Sequence, residues 1–494
     1  MFRRTKIVAT LGPATDPKNS DNEYEVLDAM IEAGVDVVRV NFSHGTHEEH
    51  KRRVEAVRNR ARAHGRQVGV LADLQGPKIR LGRFATEGGM IELEPGAKFT
   101  LDARMGGPDG DDADGTQDRV GITYKTLPND VQRGDTLLLD DGRIELWVDQ
   151  VEGPEISCIV KVGGELSNAK GINRKGGGLS AGALTDKDRI DIKAAAEMQA
   201  DYLAVSFPRN AADIHETRRL FHEAGGTGGI VAKIERAEAI ESMEEIIAAS
   251  EVVMIARGDL GVEVGDAELP ALQKQIISMA RSMNRVAITA TQMMESMIEN
   301  QIPTRAEVFD VANAVLDGTD AVMLSAETAA GNYPALAVAA MDRICRGAER
   351  QRLARISDHR INTEFRSIDE AIAMSTMYAA NHLGAKAIAA LTESGSTTLW
   401  MSRISSGIPI YALTSHVETR RKVTLYRGVY PVSFTPTSSN HAEVNQDAVD
   451  ELVRRGAVRD GDLVIITKGD LMGVMGGTNA MKIVRVGDMA PVQS

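Results

Sequence analysis

The chain has 494 residues, 43% of them hydrophobic and 26% charged, which suits roughly two to four globular domains with sizeable cores. A net charge of −13 argues against general binding to nucleic acid or anionic membranes, so an anionic ligand must meet a local cluster of Lys and Arg. Two cysteines, Cys158 and Cys345, give no disulfide framework, the N-terminus has only a short apolar run, and no stretch reaches the ~18 apolar residues of a membrane span. These features predict a soluble, cytoplasmic protein.

From the N-terminus a β-branched run, a polar tip and a helix-length amphipathic segment recur. Lys6–Thr10 is the first run, followed by LGPATD and the helical pattern EYEVLDAMIEAG. Residues 35–40 end in Asn41, Phe42, Ser43 and His44, with a helical pattern over 46–64, and residues 68–72 end in Asp73. After an interruption come Tyr202–Val205, tipped by Ser206, then 229–232, Val252–Ala256, Val286–Ala290 and Ala321–Leu324. Continuous apolar runs suit strands covered on both faces. Thr185 with Asp188, and Thr304 with Glu307, have capping-box spacing at helix starts. Eight β/α units predict a closed (β/α)8 TIM barrel over 1–73 and 171–345, close to the roughly 250 residues typical of that fold. An open doubly wound sheet is the alternative, since periodicity does not show closure.

The interruption, 74–170, alternates apolar and polar residues in MIELEPGAKFTL, DTLLLDDGRIELWV and EISCIVKV, which predicts a small antiparallel β-barrel domain inserted after the third barrel strand. Its place at a strand's C-terminal end sets it over the barrel mouth as a lid. The Asp/Gly-rich run 106–118 reads as a solvated loop. A charged linker is expected over 346–356, followed by an open α/β domain over 357–494.

Two places in this layout carry chemistry. In 231–264 the fifth and sixth apolar runs end in Lys233 and Glu235, and in Arg257 and Asp259. Parallel strands bring their C-terminal ends to one crevice, so two carboxylates, a lysine and an arginine meet there. That set suits a divalent metal holding an anionic, phosphorylated substrate. In the last domain the run 386–391 leads into Thr392, Glu393, Ser394, Gly395, Ser396, Thr397 and Thr398 at a helix start, where hydroxyls and free N–H groups suit a phosphate. A plain N-cap and loop is the alternative, and the glycine-rich MGVMGGTN (472–479) could close over the same spot. His44, His47 and His50 suggest zinc only weakly, because no fourth ligand accompanies them.

The strings TKIVATLGPAT, RVNFSHGT, LADLQGPKIR, AKGIN, AVSFPR, KIERAE, MIARGDLGVE, TATQMMESM, PTRAEVFDVANAVLDGTDAVMLSAETAAGNYP and TESGST run in order from residue 5 to 397 and together resemble the pyruvate kinase family. The resemblance implies transfer of a phosphoryl group from phosphoenolpyruvate to ADP, the last step of glycolysis. It implies Mg2+, for which Mn2+ can substitute, on Glu235 and Asp259, and Lys233 aimed at the phosphoryl group. Arg39 would add positive charge at the phosphates. Asn41, His44, Arg80 and Lys170 would meet the nucleotide. Ala256, Arg257, Gly258, Asp259 and Ser206 would hold the rest of the substrate, with backbone N–H groups near Gly258 cradling its carboxylate. Thr291, with Ser325 and Glu327, would deliver the proton. Family members often bind K+ through Asn41, Ser43, Asp73 and the Leu74 carbonyl. Those members carry Glu where this chain has Lys78, whose ammonium can replace the cation, so K+ is expected to be dispensable. Gln75 replaces a common lysine. The last domain is expected to bind an activating phosphorylated metabolite, such as AMP, ribose 5-phosphate or glucose 6-phosphate, through Thr392, Ser394, Gly395, Ser396, Thr397 and Lys468. A homotetramer is implied, with no nucleic-acid or membrane partner. A metal-dependent aldolase or lyase, or a catalytically silent metabolite sensor on the same scaffold, are the competing readings.

Overall fold

The computed structural model describes residues 3–17, 23–107, 111–351, 364–470 and 476–488. Eight parallel strands close into a barrel: Lys6–Thr10, Val37–Asn41, Gly69–Asp73, Tyr202–Val205, Gly229–Ile234, Val252–Ala256, Val286–Ala290 and Ala321–Leu324. Closure removes the open-sheet alternative, because Lys6–Thr10 pairs with both Val37–Asn41 and Ala321–Leu324. The apolar runs are continuous because both strand faces are covered. Ile7, Val38, Val70 and Ile230 pack outward against the helices, while Val8, Val37, Leu71 and Val231 fill the interior. Capping boxes at Thr185 and Thr304 start the helices Asp186–Glu197 and Arg305–Asp317, as their spacing predicts.

The insert forms a six-stranded sheet in the order Ile172–Arg174, Thr136–Leu139, Ile144–Glu152, Glu155–Val162, Lys98–Asp102, Arg119–Gly121, with two two-stranded sheets beside it around one apolar core. It is antiparallel apart from two parallel pairs: Lys98–Asp102 with Arg119–Gly121, and Arg83–Phe84 with Ala113–Gly115. Two features differ from expectation. The insert's sheet runs past 170, since Ile172–Arg174 pairs with Thr136–Leu139, and the run expected to be a solvated loop contains the strand Ala113–Gly115.

The last barrel helix, Pro334–Glu349, continues through the start of the expected linker; residues 352–356 of that linker lie outside the described residues. The C-terminal domain is a five-stranded sheet in the order Val429–Ser433, Ile410–Thr414, Ala387–Leu391, Leu463–Gly469, Thr478–Arg485, with the last strand antiparallel. It docks on the N-terminal end of the barrel. Tyr202 donates its hydroxyl to the Lys422 carbonyl, and the buried Arg403 guanidinium forks onto Asp320 at the start of the eighth barrel strand. The barrel's other end is thereby left to the insert.

Candidate active site

A strand's period of two sets the interior of the barrel mouth. Val231 packs inside the barrel, and two residues later Lys233 reaches the rim, with Glu235 just beyond the strand. The same step takes Val37 to Arg39 and Asn41, Leu71 to Asp73, Ala204 to Ser206, and Met323 to Ser325. In register, Arg39 sits beside Leu71 and Asn41 beside Asp73, while Lys233 sits beside Met254.

Lys233 is the centre of the cluster. Its Nζ donates to Ser206 Oγ at 2.7 Å, pairs with Glu235 Oε1 at 2.8 Å and stands 3.4 Å from Asp73 Oδ1. Arg39 Nε donates to Asp73 Oδ2 at 2.6 Å, and Ser206 Oγ donates to the Leu74 carbonyl at 2.8 Å. The Phe207 N–H, in a left-handed turn with φ 55°, donates to Glu235 Oε2 at 2.9 Å. Burial works to lower the Lys233 pKa, but Asp73 and Glu235 outweigh it and the ammonium stays charged. Burial opposes Asp73, yet Lys233 and Arg39 hold its carboxyl below the usual range.

Glu235 behaves differently. Burial pushes it up to about 7 against the pull of Lys233, and Asp259 adds to the rise. Asp259 is raised too, by burial, opposed by Lys233 and Lys78. Two hard-oxygen groups that resist ionisation beside one cavity are what a divalent cation relieves, so this pair fits Mg2+. Such an ion is held by one or two carboxylates and completes its shell with waters and substrate phosphates. Among the described residues no group of three or more His, Cys, Asp or Glu side chains is placed to hold a metal.

A cavity of about 580 Å3 opens over this cluster and is lined by Arg39, Asn41, Ser43, His44, Lys78, Ser206, Lys233, Glu235, Ala256, Asp259, Thr291 and Ser325. A second cleft of about 770 Å3 adjoins it between insert and barrel, sharing Lys78 and Asp259 and adding Arg80 and Lys170. Not every expected residue reaches a cavity. Glu327 is buried with its oxygens accepting the N–H groups of Met294 and Ser325, at 3.2 and 2.6 Å. The Arg257 side chain turns away, and the Gly258 N–H already donates to Thr291 Oγ1 at 2.8 Å. Asp73 and Leu74 lie beneath the floor. The histidines disperse: His47 pairs with Asp191 and His50 bonds the His44 carbonyl, so they form no zinc site.

Three of the oxygens expected to hold K+ have partners, while Asp73 Oδ1 is buried without a hydrogen bond, 3.4 Å from Lys233 Nζ. Asn41 Oδ1 accepts the Ser43 N–H at 3.1 Å, the Leu74 carbonyl accepts Ser206, and Asp73 Oδ2 accepts Arg39. Lys78 faces the same cavity; burial, with Arg80, lowers its pKa, while Asp259 and Glu235 act against that. Residue-by-residue reading missed Phe207, Met254 and Met323 as lining residues, and Asp141, Arg236 and Glu263 in the cleft. Phe207 in AVSFPR, Arg236 in KIERAE, Met254 and Glu263 in MIARGDLGVE and Met323 before SAET all lie within the family-like strings, but none was singled out from its chemistry. Methionines at a strand end look like core.

In the C-terminal domain, Thr392, Ser394, Ser396, Thr397 and Lys468 line one cavity of about 630 Å3 together with Gly476, Gly477 and Thr478. Residues 472–475 of the glycine-rich stretch lie outside the described residues. Gly395, at φ 83°, caps the helix Ser396–Ser402, and its N–H donates to Thr392 Oγ1 at 2.9 Å. Lys468 Nζ donates to the His441 carbonyl at 3.0 Å, and among the described residues no arginine lines the cavity.

Comparison with known proteins agrees with this layout. The pyruvate kinase barrel-domain family matches residues 2–338, and the pyruvate kinase alpha/beta-domain family matches 370–484. Pyruvate kinase II of Salmonella typhimurium is 55% identical over 489 residues, covering 98% of this chain and 99% of the relative. The pyruvate kinase of Haemophilus influenzae is 54% identical over 95% of this chain and 96% of its own. A crystal structure of a pyruvate kinase from Cryptosporidium parvum superposes with a TM-score of 0.86 at 33% identity, covering 98% of this chain and 96% of that one. The chain belongs to the pyruvate kinase family.

Proposed function

We propose that the barrel mouth transfers the phosphoryl group of phosphoenolpyruvate to ADP, with Lys233 at its centre. The observation that carries this is the charged Lys233 ammonium, fixed by Ser206, Asp73 and Glu235 at the floor of a cavity that Thr291 also lines. A phosphoryl group in transfer spreads charge over its oxygens, so positioning and fixed positive charge are the main catalytic needs. Lys233 and Arg39 supply that charge without reorganising. When bound on Glu235 and Asp259, Mg2+, or Mn2+ with its similar oxygen preference, neutralises phosphate charge. Ala256 and Asp259, at the sixth strand's end, with Ser206, shape the pocket for the rest of phosphoenolpyruvate. Thr291, with Ser325 beside it in the cavity, guides a proton to the enol carbon; a threonine hydroxyl is a poor acid, so it orients a relay. Glu327 supports that region by holding the Ser325 N–H.

The cleft bounded by Arg80 and Lys170 takes ADP, with Asn41 and His44 in the adjoining cavity, and the insert closes over it as a lid. K+ is dispensable in this scheme. Three of its oxygen donors, on Asn41, Asp73 and Leu74, are engaged within the protein, and Lys78 brings an ammonium to the same cavity. The C-terminal cavity binds an activating monophosphate, since Lys468 is its one lining Lys or Arg among the described residues. Large apolar residues stand exposed on both domains, among them Ile302 and Phe309 on the barrel and Ile368 and Tyr378 on the C-terminal domain. Such exposed apolar groups suit the contacts of a homotetramer. The cysteines are free and buried, which fits a reducing cytoplasm. The test is pyruvate formation from phosphoenolpyruvate, measured with and without ADP and with Mg2+ or a chelator. Turnover that needs both ADP and the metal supports the assignment, and pyruvate release independent of ADP contradicts it.

A further inference from the structure

Thr291 and Gln292 both adopt positive φ, 64° and 52°. A β-branched residue rarely enters that region, and such a backbone persists only where its surroundings over-determine it. The Thr291 hydroxyl donates to the Ala290 carbonyl at 2.6 Å, and the Arg257 guanidinium grips the same turn. Its Nε donates to the Ala290 carbonyl at 3.2 Å and its Nη2 to the Thr291 carbonyl at 2.6 Å. The next residue, Gly258, holds the other side of the turn through the bond from its N–H to Thr291 Oγ1. Arg257 and Gly258 therefore grip backbone and hydroxyl of one residue together.

A guanidinium acts as a clamp only if its plane is aimed, and Arg257 is aimed from behind. Asp310 Oδ1 accepts from Nη1 at 2.8 Å, and Gln273 Oε1 accepts from the same nitrogen at 3.3 Å. Gln273 in turn donates to Asp317 Oδ2 at 3.2 Å. Asp310 and Asp317 are two turns apart on one face of the helix Arg305–Asp317. That face is the anchor for the clamp.

From this geometry we propose that Asp310 is a positioning residue for proton delivery, acting through Arg257 to hold the Thr291 hydroxyl over the substrate. It touches no substrate itself. The inference deepens the reading of Thr291 given above and rests on it. The test compares kcat and the KM for phosphoenolpyruvate in the wild type, Asp310→Ala, Asp310→Asn, Thr291→Ala and the Asp310→Ala/Thr291→Ala double variant. Asp310 is partly exposed, and the asparagine variant keeps a neutral acceptor, so the series stays readable even if alanine impairs folding. Asp310→Ala is expected to lower kcat about ten- to a hundredfold, the scale of misplacing a reacting group by about an ångström. KM should stay within about threefold, and the asparagine variant should recover part of the loss, as expected of a transition-state rather than a binding defect. The double variant should be no slower than Thr291→Ala alone, because coupled sites are not additive. A wild-type kcat in Asp310→Ala, or losses that multiply in the double variant, overturns the role of Asp310 while leaving Thr291 in place. An unimpaired Thr291→Ala overturns the reading of Thr291 and this inference with it.

Discussion

Lys233 is the penultimate residue of the fifth barrel strand and Glu235 lies just beyond it, and their side chains meet at 2.8 Å in a cavity that Asp259 enters from the turn after the sixth strand. The ammonium neutralises one acid of a buried pair whose members both resist ionisation. A divalent ion arriving with its phosphate relieves that resistance. The same short spacing fixes the ammonium's position without help from a flexible loop.

Lys78 offers a direct test of the cation. Lys78→Glu removes an ammonium from the cavity and adds a carboxylate beside Asp259 and Glu235. The wild type should turn over at full rate in tetramethylammonium buffer free of Na+ and K+. The variant should lose most of its activity there and regain it on adding K+. Initial rates across a K+ titration check both, and a wild type that needs K+ removes Lys78 from this role.

The joint between barrel and C-terminal domain depends on Arg403 and Asp320, both buried. Arg403→Met leaves Asp320 charged and without its guanidinium, and breaking a buried pair from one side costs about 3–5 kcal/mol. Denaturant unfolding should show that loss, and adding Asp320→Asn should restore part of it. Equal stability of single variant and wild type would contradict the joint's importance.

Asp201 sits at the base of the barrel, where burial raises its pKa to about 7 while the Val70 N–H, Arg421 and Arg58 pull it down and Glu418 adds to the rise. A folded-state pKa above the unfolded value means that the fold keeps a proton the unfolded chain has lost. This contribution therefore weakens as pH rises from about 4 to about 7 and is constant above. Asp201→Asn still accepts the Val70 N–H and does not titrate. Its Tm relative to the wild type should be higher at pH 8 than at pH 5, and a difference independent of pH would exclude Asp201 as the titrating group.

The barrel was legible because its strands are covered on both faces. Lys6–Thr10, Tyr202–Val205, Val252–Ala256, Val286–Ala290 and Ala321–Leu324 fold as strands at the bounds their apolar runs predict. Lys233 and Glu235 stood out for a related reason, since charges after a buried run need a purpose. Glu349 was illegible. It looks like part of a charged linker, yet its carboxylate accepts the N–H groups of Arg4 and Thr5 and is buried in the barrel's base. Ile172–Arg174 is only three residues long and shows no alternation to read. Thr291 carries no local sign of its left-handed backbone, because Arg257 and Gly258, which grip it, and Gln273 and Asp310, which aim Arg257, are distant in sequence.

The most direct measurement is the rate of phosphoryl transfer in Lys233→Met, followed in a single turnover with enzyme in excess over phosphoenolpyruvate and with saturating ADP and Mg2+. Losing a donor that acts chiefly in the transition state costs about 2.7–4 kcal/mol, or ~10²–10³ in rate. Lys233→Met should fall by at least that factor while still binding phosphoenolpyruvate within about tenfold of the wild type. A variant that transfers the phosphoryl group at close to the wild-type rate would remove Lys233 from the centre of the reaction.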